Sequence, residues 1–122
     1  MNKNLRIIIA EDDPINQTLM QLILRKLGLR AKATANGREV LSALEREHYD
    51  MVLMDIMMPE MDGIQATRIT RERWDHGPKI IVITDCDPEV YRDASLNAGA
   101  DDFLHKPVML EDLNAAIERN QA

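Results

Sequence analysis

Five residues carry most of the chemistry open to this chain, and each follows or closes a short apolar run. Glu11 and Asp12 come directly after "IIIA", Asp55 follows "MVLM", Thr84 closes "KIIVIT" and Lys106 closes "DDFLHK". Three carboxylates, a hydroxyl and an ammonium form a set suited to holding a cation and a phosphoryl group side by side. Two carboxylates ~5 Å apart repel by roughly 3 kcal/mol at an effective dielectric of about 20. A dry site would answer by protonating one of them. A divalent cation answers better. An all-oxygen donor set, with no histidine or cysteine beside it, selects a hard ion, Mg2+ or Mn2+, over zinc. Mg2+ is usually held by one or two carboxylates, several waters and a phosphate oxygen, and Thr84 and Lys106 could serve that same phosphate.

Such a site needs the apolar runs to be strands whose ends converge. The runs 5–10, 51–54 and 79–84 are short and largely apolar, the pattern of strands covered on both faces. Residues 30–35 and 101–106 are weaker strand candidates, the former alternating as an edge strand does. Helical patterns lie between them. After Pro14, the residues Ile15, Leu19, Leu22, Ile23 and Leu27 have the spacing of one helix face, with Gly28 as a stop. Val40, Leu41 and Leu44 repeat the theme, "DGIQATRITRERW" follows the third strand, and Gly77-Pro78 breaks it. Asp87 and Pro88 open a fourth helix that Gly99 closes, and Leu110, Leu113, Ala116 and Ile117 mark the inner face of a fifth.

Short strands separated by helices imply right-handed crossovers and an α/β fold, a parallel sheet with helices on both faces. Five units are too few for an eight-fold barrel, so the sheet should be open and doubly wound. Ligands of such sheets bind beyond the carboxyl ends of the strands. Glu11, Asp12, Asp55, Thr84 and Lys106 all sit there.

Composition narrows the rest. The 122 residues suit one domain spanning 1–122. A formal charge of −6 argues against a nonspecific hold on nucleic acid or an anionic membrane. No apolar run approaches the ~20 residues of a membrane span, and the N-terminal run is too short for a signal peptide, so a cytoplasmic location is expected. Cys86 is the only cysteine, which excludes an intramolecular disulfide and a cysteine zinc cluster.

In order and spacing, "AEDDPINQ", "LMDIMMPEMDGIQATR", "VIT" and "DDFLHKPV" resemble the receiver domain of two-component response regulators, across essentially the whole chain. "EDDPINQ" and "GIQATR" are most similar to receivers of hybrid histidine kinases and related phosphorelays. The resemblance implies a five-stranded, flavodoxin-like sheet of order 2-1-3-4-5. It makes Asp55 the phosphoacceptor, fed from a phosphohistidine on a histidine kinase or phosphotransfer domain. It makes Asp12 a direct Mg2+ ligand, Glu11 a ligand through water and the Met57 backbone carbonyl a further ligand. Thr84 and Lys106 would each hold a phosphoryl oxygen, Thr84 and Phe103 would form the switch, and Lys106-Pro107 would be cis. A downstream protein partner and a phosphorylation-dependent homodimer are implied as well, direct nucleic-acid binding is not.

Plainer readings stand beside these. Asp13 precedes Pro14 and a helix, so it reads as an N-cap rather than a third ligand. Asp62 before Gly63 reads as a turn or cap residue. Met54, Met57, Met58 and Met61 crowd around Asp55, and core or loop filling is preferred to a copper-binding methionine box. His48, His76 and His105 are treated as surface residues, Trp74 as packing, and Cys86 as a thiol without an evident redox partner. One residue departs from the family pattern: Asp85 follows the switch threonine where a small residue is usual, and is expected to modulate access and phosphorylation rate. Alternatively it faces solvent or caps the next helix.

Three other functions compete with this reading. An aspartyl-phosphate hydrolase of the haloacid dehalogenase type needs an aspartate two residues after the nucleophile, and Met57 stands there. A P-loop nucleotidase lacks its Gly-x4-Gly-Lys-Ser/Thr run. A degenerate receiver that only binds proteins is argued against by the complete residue set and favoured only by Asp85. If Ala122 is the natural terminus, the protein would be a single-domain regulator or phosphate shuttle; a piece of a hybrid kinase would read identically.

Overall fold

Strands and helices alternate strictly along the chain, in a computed structural model that describes residues 4–121. The strands are β1 (Ile7–Ala10), β2 (Ala31–Thr34), β3 (Met51–Met54), β4 (Lys79–Thr84) and β5 (Asp102–His105). The helices are α1 (Pro14–Lys26), α2 (Gly37–Arg46), α3 (Gly63–Arg73), α4 (Pro88–Ala98) and α5 (Leu110–Arg119). All strand pairs are parallel, and the sheet order is β2-β1-β3-β4-β5. This is the doubly wound sheet expected from the alternation of apolar runs and helices.

The two-residue period of the strands divides the core. Ile7, Ile9, Met51, Leu53, Ile81 and Ile83 face one side, where Leu24 of α1 and Leu113, Ala116 and Ile117 of α5 cover them. Ile8, Ala10, Val52, Met54, Ile80 and Val82 face the other, under Val40 and Ala43 of α2, Ala66 of α3 and partly buried Tyr91 and Leu96 of α4. Both faces of the three central strands are buried, which explains why they read as unbroken apolar runs.

Helix ends follow local chemistry. The side chains of Asp13, Asn36, Asp62 and Asp87 cap α1 to α4 by accepting from backbone N–H groups within the first turn. Thus Asp13 and Asp62 are caps, as expected. Trp74 is the half-buried residue that closes α3. Leu110 is half-buried and lies outside both core clusters, whereas Leu113, Ala116 and Ile117 point inward.

One expectation fails. Ile15, Leu19 and Leu22 are 71%, 53% and 47% exposed, and the residue of α1 that is fully buried is Leu24, flanked by Met20, Ile23 and Leu27. α1 carries apolar side chains around most of its circumference. Spacing therefore identifies several apolar arcs, and only the position of the sheet decides which one is covered.

Candidate functional site

The strand ladders continue one residue past three strand ends and thereby place three of the candidate site residues. Glu11 N–H donates to Thr34 O (3.0 Å), Asp55 N–H to Ala10 O (3.0 Å) and Lys106 N–H to Thr84 O (2.8 Å). Each site residue is thus tied by its own backbone to the neighbouring strand. Gln17 of α1 adds a clamp: its amide donates to Glu11 O (2.6 Å) and Thr34 O (3.1 Å). The loop after Asp55 closes tightly, with Gly63 N–H on Ile56 O (2.8 Å). A Cβ at Gly63 would lie 1.9 Å from Asp55 O, so only glycine allows the loop to return this close to Asp55.

Glu11, Asp12 and Asp55 each present a carboxylate oxygen within 4.8 Å of the others. Glu11 and Asp55 are buried, and Asp12 is exposed. Lys106 reaches across from the far edge of the sheet, donating to Glu11 Oε1 (2.5 Å) and Asp55 Oδ2 (3.1 Å). Asp55 Oδ1 accepts from Ile56 N–H (2.7 Å), and Glu11 Oε2 from Asp13 N–H (3.1 Å).

Burial pushes the Glu11 carboxyl above its usual range, and repulsion from Asp55 adds to this, against the hydrogen bonds from Lys106 and Asp13. Burial alone would lower Lys106, but the hydrogen bond to Glu11 and the charge of Asp55 outweigh it and hold the ammonium above the ordinary lysine range. The two directions agree once charges are counted. Three carboxylates and one ammonium leave a formal charge of −2, so the lysine is over-supplied with partners and Glu11 is under-supplied. A divalent cation on this all-oxygen donor set would cancel the remainder. The residues fit the metal.

A crevice of 530 Å³ opens beside these groups, with Glu11, Asp55, Asp85 and Lys106 at its polar end. Leu19, Met20 and Ile23 of α1 and Val108 line its apolar side. Asp85 is exposed and caps no helix, the cap of α4 being Asp87. His105, an exposed residue, contacts the Asp85 backbone carbonyl through its ring at 3.3 Å. Thr84 is fully buried at the end of β4, where its hydroxyl accepts from Cys86 N–H (3.3 Å). Phe103 is packed inward among Met54, Val82 and their neighbours. Lys106-Pro107 is cis. Met54 lies in the core with Met58 and Met61 packed against it, while Met57 is 53% exposed.

Four of the expected groups are therefore brought together: Glu11, Asp55 and Lys106 in direct contact, with Asp12 beside the two carboxylates. Thr84 stands on the adjoining strand end with its hydroxyl turned to the β4–α4 loop. Gln17 and Gly63 went unrecognised in the sequence, because their roles lie in contacts with residues 6 to 17 positions away rather than in a local pattern.

A family model described as the response regulator receiver domain matches residues 7–118. A hybrid signal transduction histidine kinase K of Dictyostelium discoideum is 36% identical over 121 residues, covering 93% of this chain and 10% of that protein. Response regulator MprA of Mycolicibacterium vanbaalenii is 37% identical over 112 residues, covering 92% of this chain and 48% of its own length. The chain thus spans half or less of these curated relatives. Among solved structures, the receiver domain of a sensor histidine kinase from Pseudomonas aeruginosa, with a magnesium ion coordinated in its active site cleft, aligns with a TM-score of 0.86. It is 36% identical, and the alignment covers 94% of this chain and 95% of that one.

Proposed function

The chain belongs to the response regulator receiver family, and from that membership we propose that residues 1–122 act as the phosphoacceptor domain of a phosphorelay, with Asp55 as the residue phosphorylated. The observation that carries the assignment is the clustering of Glu11, Asp12 and Asp55, with the Lys106 ammonium on Glu11 and Asp55, beside an open crevice. Asp55 is buried, borders the crevice and shares Lys106 with Glu11.

In the proposed reaction a carboxylate oxygen of Asp55 attacks phosphorus in line. The new O–P bond forms as the N–P bond to a donor phosphohistidine breaks, and the imidazole leaves. Lys106 moves its hydrogen bond from Asp55 to a phosphoryl oxygen. Thr84 exchanges Cys86 N–H for another phosphoryl oxygen, and Phe103 moves with it as the second part of the switch. Glu11 (through water), Asp12, Asp55 and the Met57 backbone carbonyl would hold Mg2+, or Mn2+ in its place. When bound, the ion neutralises charge on the transferring group. The domain catalyses its own phosphorylation and dephosphorylation and acts on no separate substrate. Positioning and charge neutralisation supply the catalysis.

The donor is a histidine kinase or phosphotransfer domain. Its approach is favoured over the exposed apolar side chains Ile15, Leu19 and Leu22, since Leu19 also borders the crevice. A downstream protein partner and a phosphorylation-dependent homodimer complete the reading, in the cytoplasm. No helix among the described residues is long and apolar enough to cross a membrane. Asp85, on the crevice wall, slows phosphorylation.

Incubation with acetyl phosphate and Mg2+, followed by intact mass measurement, tests the assignment. The parent protein should gain one phosphoryl group and Asp55→Asn none, with folding little changed. Labelling of the Asp55→Asn protein at the parent rate would sink it.

A further inference from the structure

The β2 edge of the sheet lies away from the phosphoacceptor crevice and carries the opposite charge. Between residues 25 and 46 stand six cations, Arg25, Lys26, Arg30, Lys32, Arg38 and Arg46, against two acids, Glu39 and Glu45, in a chain whose formal charge is −6. All six cations are exposed. None of them makes an ion pair among the described residues, whereas Arg6, Arg71, Arg73 and Arg119 each have one and Lys106 has two. The two acids are already engaged: Glu39 accepts from Ala35 N–H (2.9 Å), and Glu45 pairs with Arg73 (2.7 Å).

The cations also border concave surface. One recess, of 400 Å³, is lined by Lys32, Arg38 and Arg46, and a second, of 680 Å³, by Arg25 and Arg30. The first recess also includes Glu60, whose carboxylate is held by the Asn36 amide (3.3 Å). β2 itself is the terminal strand of the sheet, with Lys32 exposed at its middle. Glu39 and Glu60 also line the first recess, but six cations against Glu39, Glu45 and Glu60 leave the edge net positive, a field suited to steering rather than to solubility alone.

We propose that this edge is a docking surface for an acidic, extended segment of a partner protein. Four of the six cations are arginines, whose planar forks match carboxylates bidentately. The four residues of β2 span ~13 Å, so an occupant of about six extended residues would reach the recesses at either end. A nucleic acid fits less well, because a longer polyanion would leave the patch and meet the acidic remainder of the surface. The surface is independent of the phosphoacceptor chemistry, since it contains none of the crevice residues.

The probe is a fluorescein-labelled ten-residue peptide alternating Glu or Asp with Ser, titrated with the whole chain and read by anisotropy. Saturable binding is expected at low ionic strength and should weaken steeply as salt is added. The double variant Arg38→Glu/Arg46→Glu should weaken it at least about tenfold, while Arg68→Glu/Arg92→Glu, exposed cations outside the patch, should leave it within about twofold. Far-UV circular dichroism confirms that both variants are folded. Asp55→Asn should bind as the parent does, so that this result and the labelling result stand or fall separately. No saturation, equal weakening by both double variants, or tighter binding of a duplex DNA at the same ionic strength would overturn the proposal.

Discussion

The two ends of the sheet treat charge in opposite ways. At the carboxyl ends, Glu11 and Asp55 share the single ammonium of Lys106, and a third carboxylate, Asp12, lies within 4.8 Å of both. At the amino end of β4 and around the start of β5, each carboxylate has its own guanidinium. Asp101 accepts from Arg71 (2.6 Å) and from Ile80 N–H (2.8 Å), and Asp102 from Arg119 (2.6 Å), Asn120 (3.0 Å) and Phe103 N–H (2.9 Å). Arg71 also donates to Gly99 O and Pro78 O, both at 2.8 Å. Gly99, at φ 117°, leaves room for the Arg71 stem, which a Cβ there would approach to 2.4 Å. One end is saturated and holds loops in place. The other is left short of positive charge, which is the condition that favours a bound cation.

That contrast breaks most severely at Arg71. Replacing it by Ala strands two backbone carbonyls and removes the cation from Asp101, in a place where the arginine side chain is only 25% exposed. A loss of about 2 kcal/mol in stability is expected, from the cost of unsatisfied polar groups discounted for partial exposure. Urea unfolding reads it directly. A change below about 0.5 kcal/mol would mean that the saturated end is ornamental.

The opposite sign is expected at the site. Mg2+ should raise the thermal midpoint of the parent protein, because only the folded state gathers Glu11, Asp12 and Asp55; saturation at a hundredfold excess over Kd is worth about 2.7 kcal/mol. Asp12→Ala removes one of three crowded charges, so the metal-free variant should be slightly more stable than the parent, by less than about 1 kcal/mol for an exposed group. Its Mg2+ response should vanish. An undiminished Mg2+ shift in Asp12→Ala would count against the site.

How much of this was legible beforehand follows from where each residue gets its role. β3 and β4 are bounded as read, because strands buried on both faces leave continuous apolar runs. The five candidate site groups stood out because each follows or closes an apolar run, and the caps Asp13, Asp62 and Asp87 because capping is local chemistry. The covered face of α1 was misread, since Ile15, Leu19 and Leu22 are apolar and yet exposed. Gly63, Gln17 and Arg71 were invisible for a common reason: their partners Asp55, Thr34 and Gly99 are brought to them by the fold alone. The charge imbalance of the site was readable, but the matching saturation at the other end was not.

Acid sharpens the comparison. Burial would raise the Asp102 carboxyl, but the hydrogen bonds from Arg119, Phe103 N–H and Asn120 outweigh it and hold it below its usual range. A carboxylate with a depressed folded value stabilises the fold above its unfolded value, near 3.9, and loses that contribution as pH falls through the folded one. Asp102→Asn should therefore be less stable than the parent at neutral pH, by about 1 kcal/mol given the half-exposed Arg119 partner. The difference should close below about pH 4. Urea midpoints of both proteins at neutral and acid pH provide the check, and a gap that persists unchanged into acid would remove the ionic explanation.

The smallest expected effect lies at the boundary of the unsaturated end, at Asp85. Its side chain adds a third carboxylate to the crevice that already holds Glu11 and Asp55. A phosphoryl donor approaching through that crevice meets a like charge that Lys106 and a bound cation offset only in part. An exposed pair at moderate distance interacts by about 1 kcal/mol in water, and each ~1.4 kcal/mol in a barrier changes a rate tenfold. Asp85→Ala should therefore accelerate labelling by acetyl phosphate several-fold. Because the effect is electrostatic and exposed, added salt should shrink it. A purely steric gate would give the same acceleration at every ionic strength, which separates charge from bulk; Asp85→Asn, close in size and neutral, should then behave as the parent does. Equal labelling rates for parent and Asp85→Ala at low and high salt would show that the carboxylate takes no part, and the unsaturated end would consist of Glu11, Asp12, Asp55 and Lys106 alone.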